Sequence, residues 1–138
     1  MTIDIKAMLH RVVAEVFDEN FAVANVSSSD DARLHGVHVS NRSDNERTAV
    51  IRASYTWMDA LVPELNVQTI LFDEDDEEAE KEAELRRLCL VMRAYLQGEG
   101  RVEQRRRLFR RSTVPILYIE VDSLEWRLGR HLSAVPYP

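Results

Sequence analysis

The sequence predicts an α+β fold: an antiparallel sheet of five to seven strands with two main helices packed on one face. Three observations carry this. Apolar residues recur at three- and four-residue steps in only two stretches, near residues 3 to 19 and 73 to 97. Between and after them the period falls to two, in short runs bounded by polar turns. Only one of the helices lies between strands, so the alternation that builds a parallel βαβ sheet is not met. The 138 residues, 45% apolar and 30% charged, are enough for one core without disulfide or metal staples. They read as a single domain, 1–138, with residues 129 to 138 as a tail.

In the first helix Ile5, Met8, Leu9, Val12, Val13, Val16 and Phe17 share a face. Asp4, Lys6, Arg11, Glu15 and Asp18 fill the other side, and Thr2 or Asp4 is placed to cap the start. Residues 21 to 26 read as a weak strand, 27 to 33 (SSSDDAR) as a polar loop, 34 to 40 as a strand and 41 to 46 as a turn. From 47 to 57, Ala49, Ile51, Ala53, Tyr55 and Trp57 alternate with Val50, Arg52, Ser54 and Thr56. That pattern predicts a strand with one buried and one wet face. Residues 58 to 63 read as a connection ending at Pro63, and 65 to 72 as a strand buried on both faces.

The second helix buries Leu85, Leu88, Cys89, Met92, Tyr95 and Leu96, and Gly98 is a good stop. Strands follow at 101 to 111, 114 to 121 and 124 to 128, the last two joined by a tight turn at Asp122-Ser123 that lacks the favoured glycine. Tyr55, Trp57, Tyr118 and Trp126 fall at apolar strand phases, which predicts core positions.

Charge is divided along the chain. The formal net charge is −6, but residues 1 to 85 carry 19 acidic against 7 basic side chains, and residues 86 to 138 carry 5 against 11. The negative total argues against a nonspecific nucleic-acid binder. The acidic excess sits at the start of the second helix: Asp73 to Glu78, then Glu80, Glu82 and Glu84. Counted from Asp73, carboxylates fall at positions 1, 3, 5 and 12 of a calcium loop. Position 6 is Glu78, where that loop needs glycine, and position 9 is Lys81, so no metal site is expected. Carboxylates there favour the positive end of the helix dipole, and Asp73 or Asp75 can cap it. Their density goes beyond capping and marks a binding surface for a basic partner: Asp76, Glu77, Glu80 and Glu84.

Arg101, Arg105, Arg106, Arg107, Arg110 and Arg111 form the counterpart. On a strand Arg105 and Arg107 point one way, and Arg106 and Arg110 the other, which predicts an edge strand or protruding hairpin arm. Such an arm can contact phosphate, although Phe109 is the single interleaved aromatic. It can also lie against the acidic helix of the same or a second chain.

The search for catalytic groups comes up empty. His35 and His38 are three apart, which on a strand places them on opposite faces; His10 and His131 stand alone. Cys89 lies in a core stripe, as a buried thiol would. No GxSxG elbow or Gly-rich phosphate loop occurs, and Glu64, Glu120 and Asp122 form a carboxylate pair only if the fold brings them together. No cofactor is expected. The absence of a roughly 20-residue apolar run, of a signal-peptide core and of a second cysteine predicts a cytoplasmic protein without membrane contact. The functional expectation is a small acidic, non-enzymatic protein-protein interaction module, comparable in charge and size to inhibitor or immunity proteins, secretion chaperones or phage-assembly components. A homodimer, a nucleic-acid contact through the strand at 101 to 111, and an enzyme with an unrecognised site are the alternatives.

Overall fold

The computed structural model describes residues 3–27, 34–73, 77–106 and 113–130. Helix α1 (Ile5–Val16) leads into a five-stranded meander: β1 (Phe21–Ser27), β2 (His35–Asn41), β3 (Asp44–Ala53), β4 (Trp57–Val62) and β5 (Val67–Phe72). Helix α2 (Glu78–Leu96) then crosses the sheet, and β6 (Arg101–Arg106), β7 (Thr113–Val121) and β8 (Leu124–Arg130) complete it. Every pairing is antiparallel, in the order β1-β2-β3-β4-β5-β8-β7-β6. The α2 crossing sends the chain to the far edge, from which β7 and β8 return to meet β5. That last seam is narrow: Val67 opposite Arg130 and Gln68 opposite Gly129. Among the described residues the sheet therefore ends in β1 on one side and β6 on the other.

The α+β class stands, but the described strands number eight, not five to seven. The additional strand is β4, where a connection was expected. Met58, Ala60 and Val62 face the helices while Asp59 and Leu61 are buried on the opposite side, so no polar alternation marks it. Its charged residue is neutralised across the pair by Arg52, which is what lets Asp59 sit in a strand interior. The break at 54–56 also changes the phase. Ser54 donates its N–H to the carbonyl of Trp57 (2.8 Å), closing a hairpin. Trp57 lands on the face of Arg52, whose guanidinium lies 5.5 Å from its ring, and not on the face of Ile51 as the alternation predicted.

Asp4 caps α1, its carboxylate accepting the N–H of Ala7 at 3.0 Å. The helices pack on each other and on the sheet face bearing Val37, Val39, Ala49, Ile51, Ala53, Leu117, Ile119 and Leu128. The opposite face was expected to be wet. At its centre it is not: Val50, Arg52, Asp59, Leu61 and Gln68 are buried there. Of the expected core aromatics, Tyr118 is buried and Tyr55 and Trp126 pack half-buried against the core. α2 ends as predicted, with Gly98 at φ +97° and the N–H of Glu99 returning to the carbonyl of Ala94. The β7–β8 turn places both Asp122 (φ +53°) and Ser123 (φ +64°) in the left-handed region, the geometry of a type I′ hairpin. Strand β8 runs through Arg130, so Gly129 and Arg130 belong to the sheet.

Candidate functional site

The acidic helix start is organised by its one lysine. Lys81 is buried, and its ammonium donates to the carbonyl oxygen of Asp73 (2.6 Å), lies 3.4 Å from Oδ1 of Asp73 and sits 5.7 Å from the Tyr55 ring. An ammonium thus occupies the Asp73 carboxylate. The residue at the cap position, Glu77, makes no side-chain capping bond; Asp73 acts through Lys81, and Asp75 lies outside the described residues. Further along, Arg11 of α1 donates to Glu82 (2.8 Å) and approaches Glu78 (3.9 Å), while Arg86 reaches back to Glu15 (2.6 Å). The Arg11 hydrogen bond holds the Glu82 carboxyl below the usual carboxylate range. Much of the acidic charge is therefore compensated across the α1–α2 seam. Of the four acidic residues singled out from sequence, Glu77 and Glu80 are exposed and Glu84 is half-buried, with Oε2 lacking a hydrogen-bond partner. Asp76 lies outside the described residues.

The basic edge is different. All six residues of β6 are exposed. As an outermost strand it presents one backbone edge with no sheet partner among the described residues. Its register places Arg101 opposite Tyr118 and Arg105 opposite Val114. Tyr118 becomes a hub: Arg105 donates to its hydroxyl (2.7 Å), and the guanidiniums of Arg101 and Arg127 lie 4.6 and 6.0 Å from its ring centre. The ring's negative face holds cations that would otherwise repel one another. Arg101 is balanced by Glu103 (3.3 Å) and Glu125 (3.4 Å). Among the described residues no carboxylate pairs with Arg105, Arg106 or Arg127. Arg105 and Arg106 alternate across the strand as the period of two requires; Arg107 and Arg110 lie outside the described residues. No ion pair among the described residues joins α2 to β6.

The remaining sequence candidates take structural places. Glu64 accepts the N–H and hydroxyl of Thr48 and the hydroxyl of Tyr95, each at 2.7 Å. Arg47, stacked 4.7 Å from the Tyr95 ring, donates to the carbonyls of Tyr95 and Glu99. This clamp ties the end of α2 to β3 and to the β4–β5 turn. Glu120 and Asp122 line a polar cavity of about 290 Å³ with Arg93, Gln97 and Glu99, which Glu64 does not reach. His35 pairs with Ala53 and His38 with Val50, hence on opposite faces. Among the described residues no three His, Cys, Asp or Glu side chains converge as metal ligands. Cys89 is fully buried, and burial pushes its thiol up to about 12. A second cavity, about 270 Å³ and mainly apolar, opens between α1 and β1.

Sequence reasoning missed the buried pairs Arg52–Asp59 and Lys81–Asp73. Each had a signal, a single charge inside an apolar run and a single cation inside an acidic one. No family model, curated protein or solved structure matches the chain. No helix among the described residues is long and apolar enough to cross a membrane.

Proposed function

We propose that this protein is a non-enzymatic protein-protein interaction module of the cytosol, and that its contact surface is the basic edge formed by β6 and the arginines around Tyr118. One observation carries this reading: Arg105 and Arg106, on a strand that is outermost among the described residues, and Arg127 of β8 beside Tyr118 are exposed and have no carboxylate partner among the described residues. An acidic segment laid along β6 would gain backbone hydrogen bonds from strand addition and charge pairing from the guanidiniums. The acidic helix is the weaker contact surface, because Arg11 and Arg86 already engage Glu82, Glu78 and Glu15.

Pull-downs from the native host at two salt concentrations, read by mass spectrometry, test the reading. The wild-type chain should retain an acidic protein at low salt that Arg105→Glu/Arg106→Glu loses. Both substituted side chains are exposed and one hydrogen bond to Tyr118 is lost, so stability by thermal melt should fall by no more than about 1 kcal/mol. Retention of nucleic acid in place of protein, with mixed oligonucleotides bound by the wild type and released by the variant, would favour the phosphate-contact alternative and overturn the proposal.

A further inference from the structure

The two edges of the sheet are chemically opposite. β6 carries Arg101, Glu103, Arg105 and Arg106; β1, Phe-Ala-Val-Ala-Asn-Val-Ser, carries no charge and no proline over seven residues. Exposed edges are ordinarily blunted by charge, proline or a bulge. β1 has none of these, and its register against β2 runs unbroken from Phe21 opposite Asn41 to Ser27 opposite His35. Val23 is 43% exposed, and Ala24 and Asn25 are exposed beside it. Val23 also forms the rim of the apolar groove of about 270 Å³ against His10, Val13, Ala14 and Phe17 of α1 and its flank.

We propose that β1 is a dimerisation edge: two copies of this chain pair β1 with β1, antiparallel, about a two-fold axis at Ala24. The backbone phase permits it. Arg42 donates its N–H to the carbonyl of Asn20, one step ahead of the Phe21–Asn41 pair. In an antiparallel ladder the bonded pairs alternate, so Asn20, Ala22, Ala24 and Val26 bond to β2. Phe21, Val23, Asn25 and Ser27 then send their N–H and C=O groups outward. Pairing about Ala24 sets Phe21 opposite Ser27 and Val23 opposite Asn25, outward group against outward group. The Phe21 N–H is already given to Asp18, which leaves about six intermolecular backbone bonds. Each pair matches residues of the same face, so both helix layers stay on one side of the joined sheet and the two apolar grooves adjoin across the axis. No like charges meet. The same operation on β6 would set Arg101 against Arg106 and Val102 against Arg105, bringing arginines of both copies together.

Light scattering on the full chain should give twice the 16.0 kDa chain mass. Val23→Lys places a charge on the seam, and Val23→Pro removes an outward N–H without touching the β2 ladder; each should halve the mass. Arg105→Glu, on the far edge, should leave the dimer intact. Ala24→Cys supplies a second readout. At the axis it faces its own copy in a non-bonded pair with Cα atoms about 4.5 Å apart, within disulfide reach. Mild oxidation should therefore yield a covalent dimer. Native Cys89 is fully buried and does not compete. Asn25→Cys, opposite Val23, should stay uncrosslinked. A wild-type mass of 16.0 kDa from micromolar to millimolar concentration overturns the proposal, as does a dimer that both Val23 variants leave intact.

Discussion

Asp59→Asn is the substitution that best tests how the centre of the sheet is held. In the native protein Arg52 donates to Asp59 through Nη2 at 2.6 Å and Nε at 3.0 Å, and Gln68 adds a third bond at 3.3 Å. Both charged side chains are 0% exposed. Burial pushes the Asp59 carboxyl above its ordinary range, against the opposing pull of Arg52, so desolvation is the larger influence there. The amide keeps the shape but removes the Asp59 charge from its contact with a guanidinium in a water-excluded site. Losing one partner of a buried pair costs about 3–5 kcal/mol, far more than an exposed pair. For a chain of 138 residues that corresponds to a fall in Tm of about 10–17 °C. Urea unfolding followed by tryptophan fluorescence is the assay, since Trp57 stacks on Arg52 and reports its environment. The double variant Arg52→Met/Asp59→Leu, which fills the volume without charge, should recover most of the loss. A loss below about 1 kcal/mol for Asp59→Asn would refute the argument, because it would mean water reaches the guanidinium.

Two further outcomes are expected. Burial holds the Cys89 thiol neutral to about 12 and also pushes the Tyr95 hydroxyl, bonded to Glu64, upward. The unfolded chain releases the thiol proton near 9, so above that pH the native state binds more protons than the unfolded state. Stability should fall as pH rises from about 9 toward 12, by about 1.4 kcal/mol per unit from this group. Cys89→Ala should flatten that slope in a pH series of urea midpoints; an unchanged slope would show that the thiol is not its source. At the β7–β8 turn, Asp122→Asn/Ser123→Gly replaces residues held at positive φ by those that favour it. A gain of about 1 kcal/mol is expected by thermal melt, and no gain would mean the left-handed turn carries little strain.

The helices and most strands were legible because their burial is one-sided. Ile5, Met8, Leu9, Val12, Val13 and Val16 show a 3.6 period and are the buried residues of α1. β4 was not legible, because Asp59 among Met58, Ala60, Leu61 and Val62 reads as a polar interruption until Arg52 is known to face it. The flip of Trp57 was hidden for a related reason: alternation carries through a tight turn without showing that the chain has reversed. On the surface, the arginine strand could be placed at an edge from its two-sided charge. The neutrality of β1 was equally visible in sequence, but its meaning depended on β1 being the other edge, which follows only from β8 inserting beside β5. The clamp among Glu64, Thr48, Tyr95 and Arg47 joins residues up to 52 positions apart, as in the Arg47–Glu99 bond. No local pattern encodes such a contact.

The charge asymmetry and the proposed dimer explain each other. A sheet with two open, self-complementary edges would grow without limit, since each added copy would expose another edge. In the proposed dimer the neutral edge pairs with itself, while the other edge carries arginines that repel a second copy. Assembly by that pairing would close at two chains and leave a basic edge at each end of the joined sheet. Glu15, Asp73, Glu78 and Glu82 are compensated locally by Arg11, Arg86 and Lys81, and no ion pair among the described residues joins α2 to β6. A partner with two acidic segments could then engage both ends of one dimer. The second contact would be intramolecular, raising avidity without any new surface on the chain.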